Sequence, residues 1–325
     1  MIAYIDLNYP DFHESYSMNP KSYGGGRIFA SAAKELIENF FIFSSEESFK
    51  DVSDNENKER CIVISDSDKE RLRNGDNAVS VIPRLKDFDV IVHHFANRYI
   101  NTNIPQVVWA VGYGEPIHPQ IQHLMLYSRN RQNPTISNRD INIYDVVIGI
   151  PIEDKFEESL KDDYIFQCSR HTPTFGSIDV AKFCLDNSIK GIFAGPIDNN
   201  YPLLKYVDNK TTFYLGQISE EDKIEYTKKA RLCTFLHSWN TPFNLSAITS
   251  LSNGTPIVST NVGFWKDLIV NNYNGFIIDN PEQLIDIWDQ SQYISQYNCY
   301  ESVKDKYDSI AMVTSFQKAI KEVIS

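Results

Sequence analysis

Short apolar runs rich in β-branched and aromatic residues recur along the chain, and between them apolar positions fall at helical spacing. Residues 2–7, 40–43, 61–64, 78–82, 89–94 and 106–111 read as strands in the first half, with 145–151 closing it. Residues 163–168, 191–196, 212–216, 232–236 and 257–258 read as strands in the second half. Most of these runs are continuously apolar rather than alternating, which is what a strand buried on both faces of a parallel sheet requires. Helical spacing appears after the glycines at 24–26, where Phe29, Ala32, Ala33, Leu36 and Ile37 form one stripe. It returns at 67–73, at 118–128 with Ile121, Leu124 and Met125 inward, and at 178–185. Residues 219–230 form a further helix with Ile224 and Ala230 on its buried side, opened by Ser219 and Asp222 as a cap. Residues 302–324 read as one long helix with Val303, Tyr307, Ile310 and Phe316 apolar. Alternation of this kind defines the α/β class.

The stretch 231–258 organises the second half. A buried strand over 232–236 runs into a polar turn at 237–244, where Pro242 presets φ for the first turn of a helix. Leu245, Ile248 and Leu251 then follow at helical spacing, and Asn253-Gly254 ends the helix. A strand feeding a helix through a tight turn aims unpaired backbone N–H groups and the positive helix end at one point, and such a point binds phosphate. Gly24, Gly25 and Gly26 mark a second strand-to-helix junction, where a ligand can approach the backbone closely; a plain flexible loop is the alternative. Residues 46–60 are charged and poor in apolar residues, as a solvated loop is; Ser44 and Glu47 have capping-box spacing.

Composition narrows the picture. The chain has 325 residues, 42% hydrophobic and 13% aromatic, enough for two domains of about 150 residues each. The first is expected over 1–153 and the second over 154–300, with a C-terminal helix at 301–325. A net charge of −12 argues against a polyanionic partner, since nucleic-acid affinity comes from clustered Lys and Arg. No run approaches the roughly 18 apolar residues that span a bilayer, and no basic leader with a cleavage site precedes the first strand, so a cytoplasmic protein is expected. The five cysteines are scattered and fit buried, reduced thiols better than disulfides or a metal site.

Pro242, Phe243, Leu245, Ala247, Ile248, Leu251, Gly254, Thr255 and Pro256 follow the pattern Glu-Pro-Phe-Gly, second Glu eight positions on, then Gly-Thr-Pro-Val. In this the chain resembles the retaining glycosyltransferases of family 4 (group 1), which have the GT-B fold. Asn274 to Ile278 is similar to the family's Asn-Gly-Phe-Leu-Val, residues 260–264 to Thr-x-Val-Gly-Gly, and residues 89–94 to its Asp-Val-(apolar)-His-x-His. The resemblance implies two Rossmann-like α/β/α domains with an interdomain cleft, a nucleoside diphosphate sugar on the second and the acceptor on the first. It implies a retaining hexosyl- or pentosyltransferase acting on a UDP- or GDP-linked sugar, with no obligatory cofactor or metal.

Residue by residue, Arg170 stands at the arginine that grips the leaving diphosphate, and Phe175 replaces the lysine five positions beyond it. Guanidinium suits that task because its planar donors pair two phosphate oxygens. His94 aligns with the histidine that orients the sugar, with a packed or surface histidine as the alternative. Gly25, Gly26, Gly216 and Gln217 border the donor, together with Phe243, Asn244 and Leu245 at the helix mouth. Thr241 and Thr249 stand where the family has its two glutamates. A carboxylate binds two vicinal hydroxyls at once and a threonine does not. Losing such charged hydrogen bonds costs roughly 1.5–3 kcal/mol each, about 10- to 100-fold in affinity. Three explanations compete: an unusual donor sugar, replacement of the carboxylates by Thr and water, or a lapsed transferase that binds a nucleotide or partner. On the acceptor side the candidates are Arg27, Tyr113, Arg129 and Arg131, the last two in an arginine-bearing loop at 129–139. Glu115 and His118 stand beside Tyr113 as alternatives where the family has a donor-contacting histidine. The acceptor stays open among a glycan, a lipid-linked sugar, a protein side chain and a modified DNA base. A nucleotide-sugar epimerase shares the architecture, but its acid/base carboxylates are not identifiable here.

Overall fold

The computed structural model describes residues 1–5, 25–44, 46–49, 58–93, 99–110, 117–127, 140–198, 200–239, 241 and 243–325. Contacts divide the chain into two compact units, Met1–Gly149 with Ser309–Ser325, and Ile150–Asp308. The division thus falls at Gly149 rather than at about residue 153.

The first unit runs β1 (Ile2–Ile5), α1 (Gly25–Leu36), β2 (Phe40–Ser44), β3 (Cys61–Val63), α2 (Asp66–Arg73), α3 (Ala78–Val81), β4 (Val90–His93), β5 (Gln106–Ala110), β6 (His123–Tyr127) and β7 (Asn142–Val146). Its strands lie in the order β3-β2-β1-β4-β5-β6-β7, all parallel. Two expectations fail here. Residues 78–82 are not a strand but the single turn α3, because the Asn77 side chain accepts from Ser80 N at 3.2 Å and caps a helix start. Residues 118–128 are not a helix: Leu124, Met125 and Leu126 lie in β6, paired with β5 on one side and β7 on the other. A short continuous apolar run fits a buried strand and a buried helix equally well, and the neighbouring strands decide it.

The second unit runs β8 (Asp162–Cys168), α4 (Ser177–Asp186), β9 (Lys190–Ala194), β10 (Thr212–Tyr214), α5 (Glu220–Lys229), β11 (Ala230–Phe235), α6 (Leu245–Ser252), β12 (Ile257–Thr260), α7 (Trp265–Leu268), β13 (Gly275–Ile278), α8 (Leu284–Ser291) and α9 (Gln296–Glu301). The order β10-β9-β8-β11-β12-β13 is again all parallel. Counted from the first strand of each unit, the first sheet reads 3-2-1-4-5-6-7 and the second 3-2-1-4-5-6, the doubly wound order with one strand added to the first. Ser219 caps α5, accepting from Asp222 N at 3.0 Å, although the buried side chains of that helix are Lys223 and Thr227 rather than Ile224. All five cysteines are free, and burial pushes the Cys184, Cys233 and Cys299 thiols up to about 12.

The expected long helix at 302–324 is broken. Residues 302–307 form turns and a bend, Ile150 N donates to Tyr307 O at 3.0 Å, and Ile150 bridges to Asp308, which pins the chain at the break. The helix α10 (Ser309–Ile324) begins beyond it, and Ile310 is exposed rather than part of an apolar stripe. Met312, Val313, Phe316, Ala319 and Ile320 form its buried face in the first unit. There the Phe316 ring meets Phe29 at 4.7 Å and Trp109 at 5.8 Å, while Phe29 and Trp109 are 3.8 Å apart. Ser315 Oγ accepts from Val147 N at 2.9 Å, tying α10 to the chain just past β7. Among the described residues, no helix is long and apolar enough to cross a membrane.

Phe316 is fully buried, so Phe316→Ala is expected to lower the stability of the first unit by about 3–5 kcal/mol, read as a shift in a urea midpoint. Beneath the second sheet, Lys161 Nζ donates to Lys228 O at 2.7 Å and Thr255 Oγ1 at 2.6 Å, and burial pushes the ammonium down from its ordinary 10.5 to about 8. Folding therefore expels a proton between pH 8 and 10.5, and stability rises with pH across that window. The burial penalty is fully present at pH 7. Lys161→Met is expected to flatten this rise, by roughly 3 kcal/mol at most, in melts of both proteins over that range.

Candidate functional site

In an open parallel sheet, ligands bind outside the carboxyl ends of the strands, where the strand order reverses. In the second unit that point lies between β8 and β11. The exit of β8 is zipped to the exit of β9: Ser169 N donates to Ala194 O at 3.0 Å, His171 N to Pro196 O at 2.8 Å, and Asp198 N to His171 O at 3.0 Å. Gly195 makes this possible. Its φ is +116°, and a Cβ there would stand 2.1 Å from Ser169 O.

Arg170, between the two locked residues, turns its side chain outward. The guanidinium is 65% exposed, and its Nε lies 3.8 Å from Asp198 Oδ1. So exposed and so long a pair contributes about 0–1 kcal/mol, leaving the cation available to another anion. His171 points the other way and is fully buried. Its Nε2 lies 3.1 Å from Ala194 O, which only accepts, so Nε2 carries the proton and Nδ1 accepts from Ser177 Oγ at 2.8 Å. Burial pushes this imidazole down to about 4.

The loop from β8 to α4 meets the exit of β11 head-on. Gly176, the N-cap of α4, has φ +65°, and a Cβ there would lie 2.6 Å from Leu236 Cβ and 2.7 Å from Leu236 O. Ser238 N donates to Thr174 O at 3.0 Å, and Gln167 Nε2 to Phe175 O at 2.9 Å. Phe175, at the position where a second cation was looked for, sets its ring 4.4 Å from the His237 ring, edge to face.

Beyond β11 the chain turns tightly into α6. Asn244 caps the helix, its side chain accepting from Ala247 N at 3.0 Å. Phe243 packs against Phe264 at 5.4 Å and Tyr307 at 5.9 Å. Thr241 is 3% exposed, and its hydroxyl donates to Phe243 O at 3.2 Å. The Thr249 hydroxyl donates back to Leu245 O at 3.0 Å. Both threonine hydroxyls thus spend their proton on the backbone.

The sequence-derived residues divide as follows. Arg170, Gly216, Gln217, Thr241, Phe243, Asn244 and Leu245 lie past the carboxyl ends of β8, β10 and β11, and Thr249 lies one turn inside α6. Gly216 has φ +73° with open space where a Cβ would stand, and Gln217 is exposed. Gly25 and Gly26 open α1 in the first unit, and Arg27 belongs to the same helix with its side chain outside the description. His94, Tyr113, Arg129 and Arg131 lie outside the described residues. Asp198, His171, His237 and Trp239 escaped the sequence reading. His171 and His237 carried the same signal, a titratable residue just past a buried strand, while Asp198 and Trp239 carried none. Among the described residues, no cluster of His, Cys, Asp and Glu is arranged to hold a metal.

The family model described as Glycosyl transferases group 1 matches residues 176–292, from the N-cap of α4 to the end of α8. No curated protein matches the chain. Among solved structures, the chain is similar to AviGT4, a glycosyltransferase involved in avilamycin A biosynthesis, with TM-score 0.71 and 14% identity over 99% of this chain and 97% of that one. It is similar to Anabaena HepE in complex with UDP, with TM-score 0.71 and 13% identity over 99% of both chains. It is likewise similar to the sucrose-phosphate synthase of Thermosynechococcus elongatus, with TM-score 0.70 and 13% identity over 99% of both. These likenesses establish the fold. The chain has the two parallel-sheet α/β units of the GT-B glycosyltransferase structures.

The two glycines past the strand ends are expected to behave differently. Gly195→Ala forces a Cβ into the Ser169 carbonyl on top of backbone strain, so it should cost more than about 3 kcal/mol or prevent folding. Gly216→Ala meets only the left-handed backbone penalty, about 1–2 kcal/mol. Parallel urea titrations of the two variants check the contrast.

Proposed function

We propose that this protein is a glycosyltransferase that takes a sugar from a nucleoside diphosphate donor, UDP- or GDP-linked, and passes it to an acceptor with retention of configuration. The observation that carries this is one coincidence. The group 1 match spans residues 176–292, and both walls of the strand-end crevice, the Gly176 turn and the Asn244–Leu245 helix mouth, lie inside it. Anabaena HepE has been crystallised with UDP and with UDP-glucose, which supports a donor of this class.

In the reaction, the bond from the sugar's anomeric carbon to phosphate oxygen breaks and a bond to the acceptor oxygen forms on the same face. Negative charge builds on the departing diphosphate. Arg170 meets that charge from the β8 exit, and the first backbone N–H groups of α6 meet it from the helix mouth. Donors fixed in advance at the place where charge develops lower the barrier without reorganising during the step. Neither a metal nor a protein nucleophile is invoked. His94, Gly25 and Gly26 are assigned to the sugar and diphosphate, and Arg27, Tyr113, Arg129 and Arg131 to the acceptor side. The acceptor is a glycan, a lipid-linked sugar, a protein side chain or a modified DNA base. A cytoplasmic site of action fits the use of a nucleotide-sugar.

The inward-turned Thr241 and Thr249 hydroxyls favour a second reading, a catalytically lapsed protein that holds a nucleotide or a partner. Release of nucleoside diphosphate from a panel of sugar donors separates the two. Turnover with at least one donor is expected, and Arg170→Ala should weaken nucleoside diphosphate binding roughly tenfold or more. No release with any donor, together with unchanged nucleotide binding by Arg170→Ala, would remove the enzyme reading.

A further inference from the structure

His237 sits just past the end of β11, is 1% exposed, and among the described residues has no hydrogen-bond partner at either ring nitrogen. The Trp265 indole N–H, also buried, has none either. Buried polar atoms are nearly always paired, and leaving one unpaired costs about 1–3 kcal/mol. The imidazole cannot be relieved by moving its backbone: His237 N donates to Phe235 O at 2.9 Å, its carbonyl accepts from the Thr260 hydroxyl, and Ser238 N is bonded to Thr174 O. Burial holds the ring's pKa near 4, so at neutral pH it is uncharged, with one nitrogen donating and the other accepting. Three aromatic rings box it in. Phe175 lies edge to face at 4.4 Å, Trp265 edge to face at 5.2 Å, and Trp239 is parallel within 3° at 6.3 Å. Trp239 is the outer wall, 37% exposed, whereas Trp265 is fully buried.

A neutral ring that both donates and accepts, beside a half-exposed indole, is matched by a group of the same character. A sugar hydroxyl donates and accepts, and the C–H face of a sugar ring lies well against an aromatic surface. A phosphate would gain nothing from an uncharged imidazole that it does not gain better from Arg170. We propose that His237 and Trp239 form the subsite for the donor's sugar. Trp239 turns from its place over the imidazole to stack on the sugar ring, and His237 exchanges hydrogen bonds with one of the hydroxyls. Thr241, two residues beyond Trp239, does not compete for that hydroxyl, because it is buried and donates to Phe243 O. The subsite therefore selects a sugar by a neutral hydrogen bond and an aromatic face rather than by a carboxylate.

This inference rests on the donor reading above, and calorimetry on the full chain separates the two. The measured quantity is the affinity ratio between a nucleotide-sugar and its parent nucleoside diphosphate, with UDP-glucose against UDP and GDP-mannose against GDP as probes. Trp239→Ala and His237→Ala are each expected to cut that ratio five- to tenfold while changing the diphosphate Kd by less than twofold. His237→Gln and Trp239→Phe should restore part of it. Because His237 is buried, circular dichroism must show each variant folded, and the half-exposed Trp239 series stands alone if His237→Ala does not fold. The other tryptophans are 8% exposed or less, so indole fluorescence should respond to the nucleotide-sugar more than to the diphosphate, and lose that response in Trp239→Phe. Equal weakening of both ligands, or an unchanged ratio in the folded variants, would overturn the subsite alone. Wild-type protein that binds no nucleoside diphosphate would overturn the donor reading and the subsite with it.

Discussion

Two contacts of backbone on backbone, each too close for a side chain, hold the strand ends of the second unit. Gly195 lies against the Ser169 carbonyl, and Gly176 against Leu236. The first locks the exits of β8 and β9 together, and the second presses the start of α4 onto the exit of β11. Arg170 projects because the residues on either side of it are bonded in place. His237 stays boxed because Ser238, beside it, is bonded to Thr174 in the same α4 loop. The chemistry of the site is thus set by two positions that contribute no chemistry of their own.

The legible parts of the fold were those whose signal is local. β8, β9, β11 and α6 carry short local apolar patterns, with Gly195 closing β9 and Asn253-Gly254 closing α6, and their residues need no distant partner to declare themselves. Residues 118–128 and 78–82 were misread because the deciding contacts come from elsewhere, the flanking strands β5 and β7 for the first and the Asn77 cap for the second. At the site the same division holds. Arg170 was visible only through the family pattern the chain resembles, at the position of an arginine suited to a diphosphate. Asp198 was not, since only the pairing of the β8 and β9 exits brings it near the guanidinium. His171 and His237 are alike in sequence, each just past a buried strand, yet opposite in structure. Ser177 and Ala194 satisfy the first, while Phe175 and Trp265 leave the second with rings and no partner.

The described lining of this crevice offers aromatic surface more than charge. Phe175, Trp239 and Trp265 surround His237 with bulk that carries no charge, and the Thr241 and Thr249 hydroxyls are turned to the backbone. Hydrogen bonds to uncharged groups are weaker one by one, but they need no counter-charge and lose little to salt. The sugar subsite proposed at His237 and Trp239 would discriminate by shape and by the direction of each hydroxyl rather than by charge.

The last helix has a consequence for how the molecule is made. Phe316 completes the packing around Phe29 and Trp109, but it is synthesised only after the whole of the second unit. Until it arrives, the N-terminal unit has an open apolar seam, while all of Ile150–Asp308 is already synthesised. Domains generally fold from the N-terminus as they emerge. Here the later-made unit can mature first, and the earlier-made one must wait for α10.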